Sequence, residues 1–198
     1  MENNNAVIAG TIIKELEFYY EAYGEKFYST EIGAYRTSGY MDIIPLTIPE
    51  VLIAGEIRTG DKVKVSGMFR SYNTRSNGKS RVLLRVFVDE INEYDGDYND
   101  IVLDGYLCKL PNYRETPRGR NITDVLLATN RSCGKSDYLP CILWGRNALR
   151  ASEFQVGTRI AVSGRIQSRV YQKKISETES EERVAYEISV YKVEVLEW

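Results

Sequence analysis

An all-β chain made of two similar halves is the architecture this sequence predicts. Three observations carry that expectation: an internal repeat, strand-type alternation along most of the chain, and a repeat period the size of one small domain. Shifted by 95 positions, Gly10, Gly24, Arg36, Asp42 and Pro45 fall on Gly105, Gly119, Arg131, Asp137 and Pro140. Shifted by 97, Ala54, Glu56, Gly60 and Val65-Ser66-Gly67 fall on Ala151, Glu153, Gly157 and Val162-Ser163-Gly164. Shifted by 104, Leu84, Val86, Phe87 and Glu90 fall on Ile188, Val190, Tyr191 and Glu194. The shift only grows along the chain, as insertions into the loops of two copies of one unit require. A period of about 100 residues is too long for a solenoid repeat and matches one small domain. The expected units are therefore 1–94 and 100–198.

Taken in order, the runs Ala6–Ile13 and Asp100–Leu107 open the two units. Short helices are expected at Pro49–Ile57 and Asn147–Phe154, each followed by a glycine, Gly60 or Gly157, near a helix C-cap. Val63–Gly67 and Ile160–Gly164 follow as strands. Arg81–Val88 and Tyr186–Val195 alternate with β-branched and aromatic residues, as half-buried strands do. Asn77-Gly78 signals a hairpin, because both residues tolerate positive φ in a tight turn. The matching hairpin of the second unit is seven residues longer (104 minus 97), and its tip, Glu177–Glu182, reads as a charged loop. Asn92–Asn99 is polar and reads as a linker short enough to keep the units packed together.

Five strands with one short helix between the third and fourth is the order of an OB-fold, a small Greek-key barrel that binds oligonucleotides or oligosaccharides. Gly10, Gly67, Gly105 and Gly164 fit sharp bends at its corners. The prediction is thus all-β: two tandem OB-fold five-stranded barrels, each with one short helix. Another small all-β barrel or sandwich is the alternative.

Composition narrows the function. The chain is 43% hydrophobic and 27% charged, which excludes disorder throughout. Its net charge of −2 counts against a nucleic-acid binder. The charge is uneven, however. Residues 109–174 are rich in Arg and Lys, while acids cluster in Glu15–Glu31, Asp89–Asp100 and Glu177–Glu182. A local basic face attracts phosphate whatever the total. The three cysteines, Cys108, Cys133 and Cys141, are odd in number, lack CxxC spacing, and stand in a chain without histidine. They read as small buried hydrophobes, not as a zinc site or disulfide framework. No metal or other cofactor is expected. The N-terminus has no apolar core and no run of about 18 apolar residues occurs, so no membrane partner is expected and the cytoplasm is the expected location.

The second unit resembles the bacterial single-stranded-DNA-binding protein family. The likeness is carried by Val102-x-Leu-x-Gly105-x-Leu107, by Leu110-Pro111-x-x-Arg114-x-Thr116-Pro117-x-Gly119 and by Leu127-Ala128-Thr129-Asn130-Arg131. It continues in Cys141-Ile142-Leu143-Trp144-Gly145-Arg146-x-Ala148, in Gly157–Tyr171, and in Tyr186-Glu187-Ile188. The first unit shares this frame only through the repeat. The resemblance implies that bases stack on Tyr138, Trp144 and Tyr171, and that Arg114, Arg131, Arg146, Arg165, Arg169 and Lys173 follow the phosphates. A fourth family aromatic falls near Cys133 and is missing here. Stacking suits any sequence because every base has a π-face, and cations add a salt-dependent term.

At the matched first-unit positions stand Ile43, Pro49 and Thr74, with Tyr35, Tyr40 and Tyr72 nearby. That unit is expected either to bind DNA with a redrawn surface or to serve packing and interaction, with the second favoured. With Leu196-Glu197-Trp198 directly after the last strand, the family's acidic tail is not expected, which puts recruitment of replication proteins in doubt. By resemblance a homodimer presenting four barrels is expected.

The leading expectation is sequence-tolerant binding of single-stranded DNA, without catalysis, in replication, recombination or repair. The alternative is a primosome-like protein-interaction module on the same barrel. A nuclease is disfavoured. No histidine, phosphate loop or nucleophile elbow is present, and Asp95, Asp97 and Asp100 lack the glycine and distal glutamate of a calcium loop.

Overall fold

The computed structural model describes residues 3–53, 57–76, 79–175 and 180–196. The first half contains β1 (Asn4–Ile12), β2 (Glu17–Ala22), β3 (Glu25–Tyr35), β4 (Met41–Pro49), a 3-10 turn (Glu50–Ile53), β5 (Lys62–Ser76) and β6 (Lys79–Glu93). The second contains β7 (Tyr98–Leu107), β8 (Asn112–Glu115), β9 (Asn121–Asn130), β10 (Ser136–Trp144), α1 (Arg146–Ala151), β11 (Arg159–Lys174) and β12 (Ser180–Val195).

Each half is an OB-fold barrel, with six strand segments where five strands were expected. The sixth arises because the first strand is broken in two. β1 pairs with β3 at Thr11↔Gly33, and β2 pairs with the same strand from Glu17↔Ser29 onward. β7 and β8 divide β9 in the same way, at Tyr106↔Ala128 and Asn112↔Asp124. The parallel pairs β4–β6 (Leu46↔Val86) and β10–β12 (Cys141↔Ile188) close the barrels.

The close crossing of strands explains the repeated glycines. A Cβ on Gly10 would lie 2.1 Å from the Gly33 carbonyl oxygen, and one on Gly105 would lie 2.4 Å from that of Ala128. No side chain fits there, so the expected sharp corner is a point of backbone contact.

Alternation fills the two interiors. Ile8, Ile12, Ile32, Leu46, Val65 and Phe69 are fully buried in the first barrel, and Leu103, Leu127, Leu139, Leu143, Ile166 and Ile188 in the second. Each such side chain contributes about 1.5–3 kcal/mol relative to exposure.

Several boundaries differ from those the sequence predicts. Pro49 ends β4 and does not begin a helix, and the helical turn after it covers only Glu50–Ile53. Residues 54–56, which include Ala54 and Glu56 of the repeat, lie outside the described residues. The second helix stops at Ala151, and Ser152–Phe154 continue as turns. Gly60 and Gly157 serve the turn before the next strand, not a helix end. Both have positive φ (99° and 88°), and their N–H groups bond the Ile12 and Leu107 carbonyls at 2.8 Å. The hairpin tips Asn77-Gly78 and 176–179 lie outside the described residues. Ser180–Glu182, expected in a loop, belong to β12, where Glu181 faces Lys173 and opposite charges support the pairing. The connection between halves is Tyr94–Asp97, because Asn92–Glu93 prolong β6 and Tyr98–Asn99 begin β7.

The halves join through antiparallel pairing of β1 with β7, from Asn4↔Leu103 to Ala9↔Tyr98. All twelve strands thereby form one continuous sheet.

Candidate nucleic-acid interface

β10 sorts its side chains by parity. Leu139, Cys141 and Leu143 enter the core, while Tyr138, Pro140 and Trp144 turn outward. Tyr138 is 49% exposed and Trp144 37% exposed. The Trp144 indole Nε1–H donates to Ser189 Oγ at 3.2 Å, which fixes the ring edge-on to β12. Ser189 pairs with Arg165 on β11, so the same outer row continues through Arg165, Gln167, Arg169 and Tyr171. Tyr171 is half-buried beneath the Arg169 guanidinium, 5.7 Å from its ring centroid. The three predicted aromatics therefore share one outer face of the second barrel.

They divide between two grooves. Tyr138 and Tyr171 line one of about 520 Å³, whose far wall includes Pro45 and Leu83 of the first barrel and Tyr186 of the second. Trp144 lines another of about 570 Å³, where Arg165 and Arg169 meet Arg36 and Tyr40 of the first barrel.

The predicted cations have unequal surroundings. Arg146 is exposed and has no partner among the described residues, and Lys173 is exposed opposite Glu181. Arg114 is held by Asp124 at 2.7 Å, and that hydrogen bond raises its pKa above the usual arginine range. Arg169 is 3.5 Å from Glu187. Among the described residues the buried Nε of Arg165 has no partner, and its Nη2 lies 3.4 Å from Gln167 Oε1. Burial, and then repulsion from Arg36, lower its pKa, with Asp42 opposing.

Arg131 stands apart. It forms a two-point ion pair with the buried Asp137 and donates to the Ser71 carbonyl of the other barrel at 3.1 Å. Asp137 Oδ1 also accepts the Ser71 N–H at 2.6 Å, and Ser71 Oγ accepts the Tyr138 N–H at 2.9 Å. The arrangement recurs in the opposite direction. Arg36 pairs with Asp42, Asp42 accepts the Ser168 N–H at 2.9 Å, and Ser168 Oγ accepts the Ile43 N–H at 3.0 Å. These paired clasps fasten each barrel to the other, and Arg131 belongs to one of them.

At the matched positions of the first barrel Ile43 and Thr74 are half-buried and Pro49 is buried, but other rings assemble close by. Tyr20 stacks on Phe27 with centroids 4.7 Å apart, Arg70 lies 4.3 Å over Phe87, and Arg85 lies 4.8 Å over Tyr19. The Arg85 guanidinium donates to Thr47 Oγ1 at 3.0 Å and Ser29 Oγ at 2.6 Å, and burial lowers its pKa. The run Phe18-Tyr19-Tyr20 was a visible signal for this cluster. Its arginines come from β5 and β6 and were not. Of the nearby tyrosines, Tyr40 enters the Trp144 cleft, Tyr72 lies beneath Arg131, and Tyr35 stays exposed.

The cysteines depart from a uniform reading as buried hydrophobes. Cys141 is buried, and burial pushes its thiol up to about 12. Cys108 is partly buried against the Leu126 carbonyl, and Cys133 is exposed because it occupies the turn between β9 and β10. Asp95 pairs with Lys62 and Asp97 accepts the Tyr35 N–H, so the inter-barrel aspartates hold chain segments. No helix among the described residues is long and apolar enough to cross a membrane.

Residues 98–196 match the single-strand binding protein family. The single-stranded DNA-binding protein B of Bacillus subtilis is 38% identical over 106 residues, covering 50% of this chain and 84% of that protein. The single-stranded DNA-binding protein of Clostridium tetani is 34% identical over 107 residues, covering 50% and 71%. The crystal structure of the wild-type single-stranded DNA binding protein from Thermus aquaticus superimposes with a TM-score of 0.80 at 19% identity, covering 98% of this chain and 93% of that one. That last likeness is one of fold.

Proposed function

Because the chain belongs to the single-strand binding protein family, we propose that it binds single-stranded DNA without reading its sequence, along the outer face of the second barrel. The observation that carries the reading is the placement of Tyr138, Trp144 and Tyr171 on one face, with Arg165, Arg169 and Lys173 in the same outward row of β11 as Tyr171. Bases stack on the rings at about 1–3 kcal/mol each, and the arginines and lysine hold the phosphates. Arg131 supports this site by fixing the barrel junction, and Arg114 by bracing β8 against β9. The catalytic chemistry of a nuclease has no part in this reading.

The test is titration with oligo-dT in a salt series, reading tryptophan fluorescence in a Trp198→Phe background so that Trp144 alone reports. Quenching that weakens steeply with salt supports the reading. Unchanged fluorescence and mobility at low salt overturn it. Capture of a protein partner by the unaltered chain that is lost in variants lacking all three rings, with no DNA binding by the unaltered chain, transfers the face to the protein-interaction alternative.

A further inference from the structure

We propose that the first barrel completes the binding site of the second: Tyr40 and Arg36 form the far wall of the Trp144 cleft, and one nucleotide step of the strand lies across the junction between barrels. The inference rests on the function proposed above and adds residues that the family-matched positions do not include.

The cleft is built from both halves. Arg36 and Tyr40 come from the β3–β4 turn of the first barrel, whereas Arg120, Trp144, Arg165 and Arg169 come from the second. Four guanidinium groups meet there, and no acidic side chain among the described residues lines the space. Arg36 is already committed to Asp42, which lies beneath the cleft, and Arg169 stands 3.5 Å from Glu187. Among the described residues, by contrast, Arg165 keeps a buried Nε without an acceptor and the Arg120 guanidinium has no partner. Arg165 is half-buried and Arg120 exposed at the cleft; positive charge so placed is relieved by an anion, and a phosphodiester supplies acceptors at the right scale.

Two rings border the same charge. Trp144 stands on one side with its indole edge fixed by Ser189. Tyr40 stands on the other, 47% exposed, with the Arg36 guanidinium 4.5 Å from its ring centroid. The Arg36–Asp42–Ser168 clasp therefore does two things: it fastens the barrels and it holds Tyr40 beside the second barrel's site. Cations between two partly exposed rings suit a phosphate with a base on either side. A free mononucleotide would use only one ring, so the two rings favour a strand.

The experiment compares dT20 binding by the full chain and by Tyr40→Ala, Tyr40→Phe, Arg120→Ala and Trp144→Ala, with the exposed Tyr98→Ala as a control. The signal is the anisotropy of labelled dT20, and thermal midpoints are measured alongside. Tyr40→Ala is expected to weaken binding about tenfold, Tyr40→Phe to stay within about twofold, and Arg120→Ala to reduce the salt slope by about one. If Trp144→Ala weakens binding while Tyr40→Ala and Arg120→Ala match the unaltered chain at equal thermal midpoints, the shared cleft is overturned and the function stands. If the unaltered chain does not bind dT20, the function falls and the cleft with it.

Discussion

Asp137 of the second barrel accepts the backbone N–H of Ser71 in the first at 2.6 Å while its carboxylate is held by Arg131. One carboxylate thus closes its own turn and docks the neighbouring barrel. Removing a partner from a buried ion pair leaves an uncompensated charge, at a cost of about 3–5 kcal/mol. Asp137→Ala is therefore expected to lower unfolding free energy by about 3 kcal/mol in urea denaturation. Asp42→Ala, its counterpart in the opposite clasp, is expected to do the same. A loss below about 1 kcal/mol for both would show that the β1–β7 pairing alone holds the halves.

That relationship separates two kinds of cation. A residue that contacts phosphate lowers the salt slope of binding by about one when removed, whereas a docking residue changes stability. Arg146→Ala and Arg165→Ala are expected to flatten the dependence of binding on salt. Arg131→Ala, measured where it remains folded, is expected to keep the slope of the unaltered chain. An equal fall in slope for Arg131→Ala would place its guanidinium on the strand.

The scaffold was legible in the sequence because its constraints act on the backbone and were repeated. Gly10 and Gly105 are glycine for the same carbonyl contact, and the shift of 95 exposes them together. Tyr138, Trp144 and Tyr171 came from the family resemblance alone, and their outward placement by strand parity belongs to the structure. The role of Arg131 was not read, although the signal was present. Arg36–Asp42 and Arg131–Asp137 keep the same spacing in both halves while Tyr138, Trp144 and Tyr171 have no aromatic counterparts, as a pair serving the scaffold would. The helix ends were misplaced because glycine with positive φ serves a turn as readily as a cap. The Tyr19–Arg85 contact joins β2 to β6 across long separation, and no local pattern announces it.

Gly105→Ala should distinguish backbone contact from conformational strain. Its Cβ meets the Ala128 carbonyl oxygen at 2.4 Å, and overpacking of this kind costs about 1–3 kcal/mol or more. Gly134→Ala meets open space but must keep φ near 78°, for about 1 kcal/mol. Thermal melting is expected to show the larger loss for Gly105→Ala. The reverse order would mean that the barrel corner relaxes freely.

The cysteines give a final check on the packing, because a thiol reacts as its thiolate and only where reagent reaches it. Cys133 is exposed, Cys108 partly buried with its pKa raised by burial, and Cys141 buried and pushed up to about 12. Near pH 8 a disulfide reagent is expected to modify Cys133 rapidly, Cys108 slowly, and Cys141 only on unfolding. The sign for stability follows from the raised value. Below about pH 8.5, the pKa of a free thiol, both states hold the Cys141 proton and this contribution is complete. It is lost as pH rises from there toward about 12, because only the unfolded chain releases the proton readily. Cys141→Ala should remove that alkaline decline while adding the general penalty of a small cavity. Rapid modification of Cys141 in the native chain would mean that β10 separates from β12, where Cys141 pairs with Ile188, and that the barrel wall carrying Trp144 opens with it.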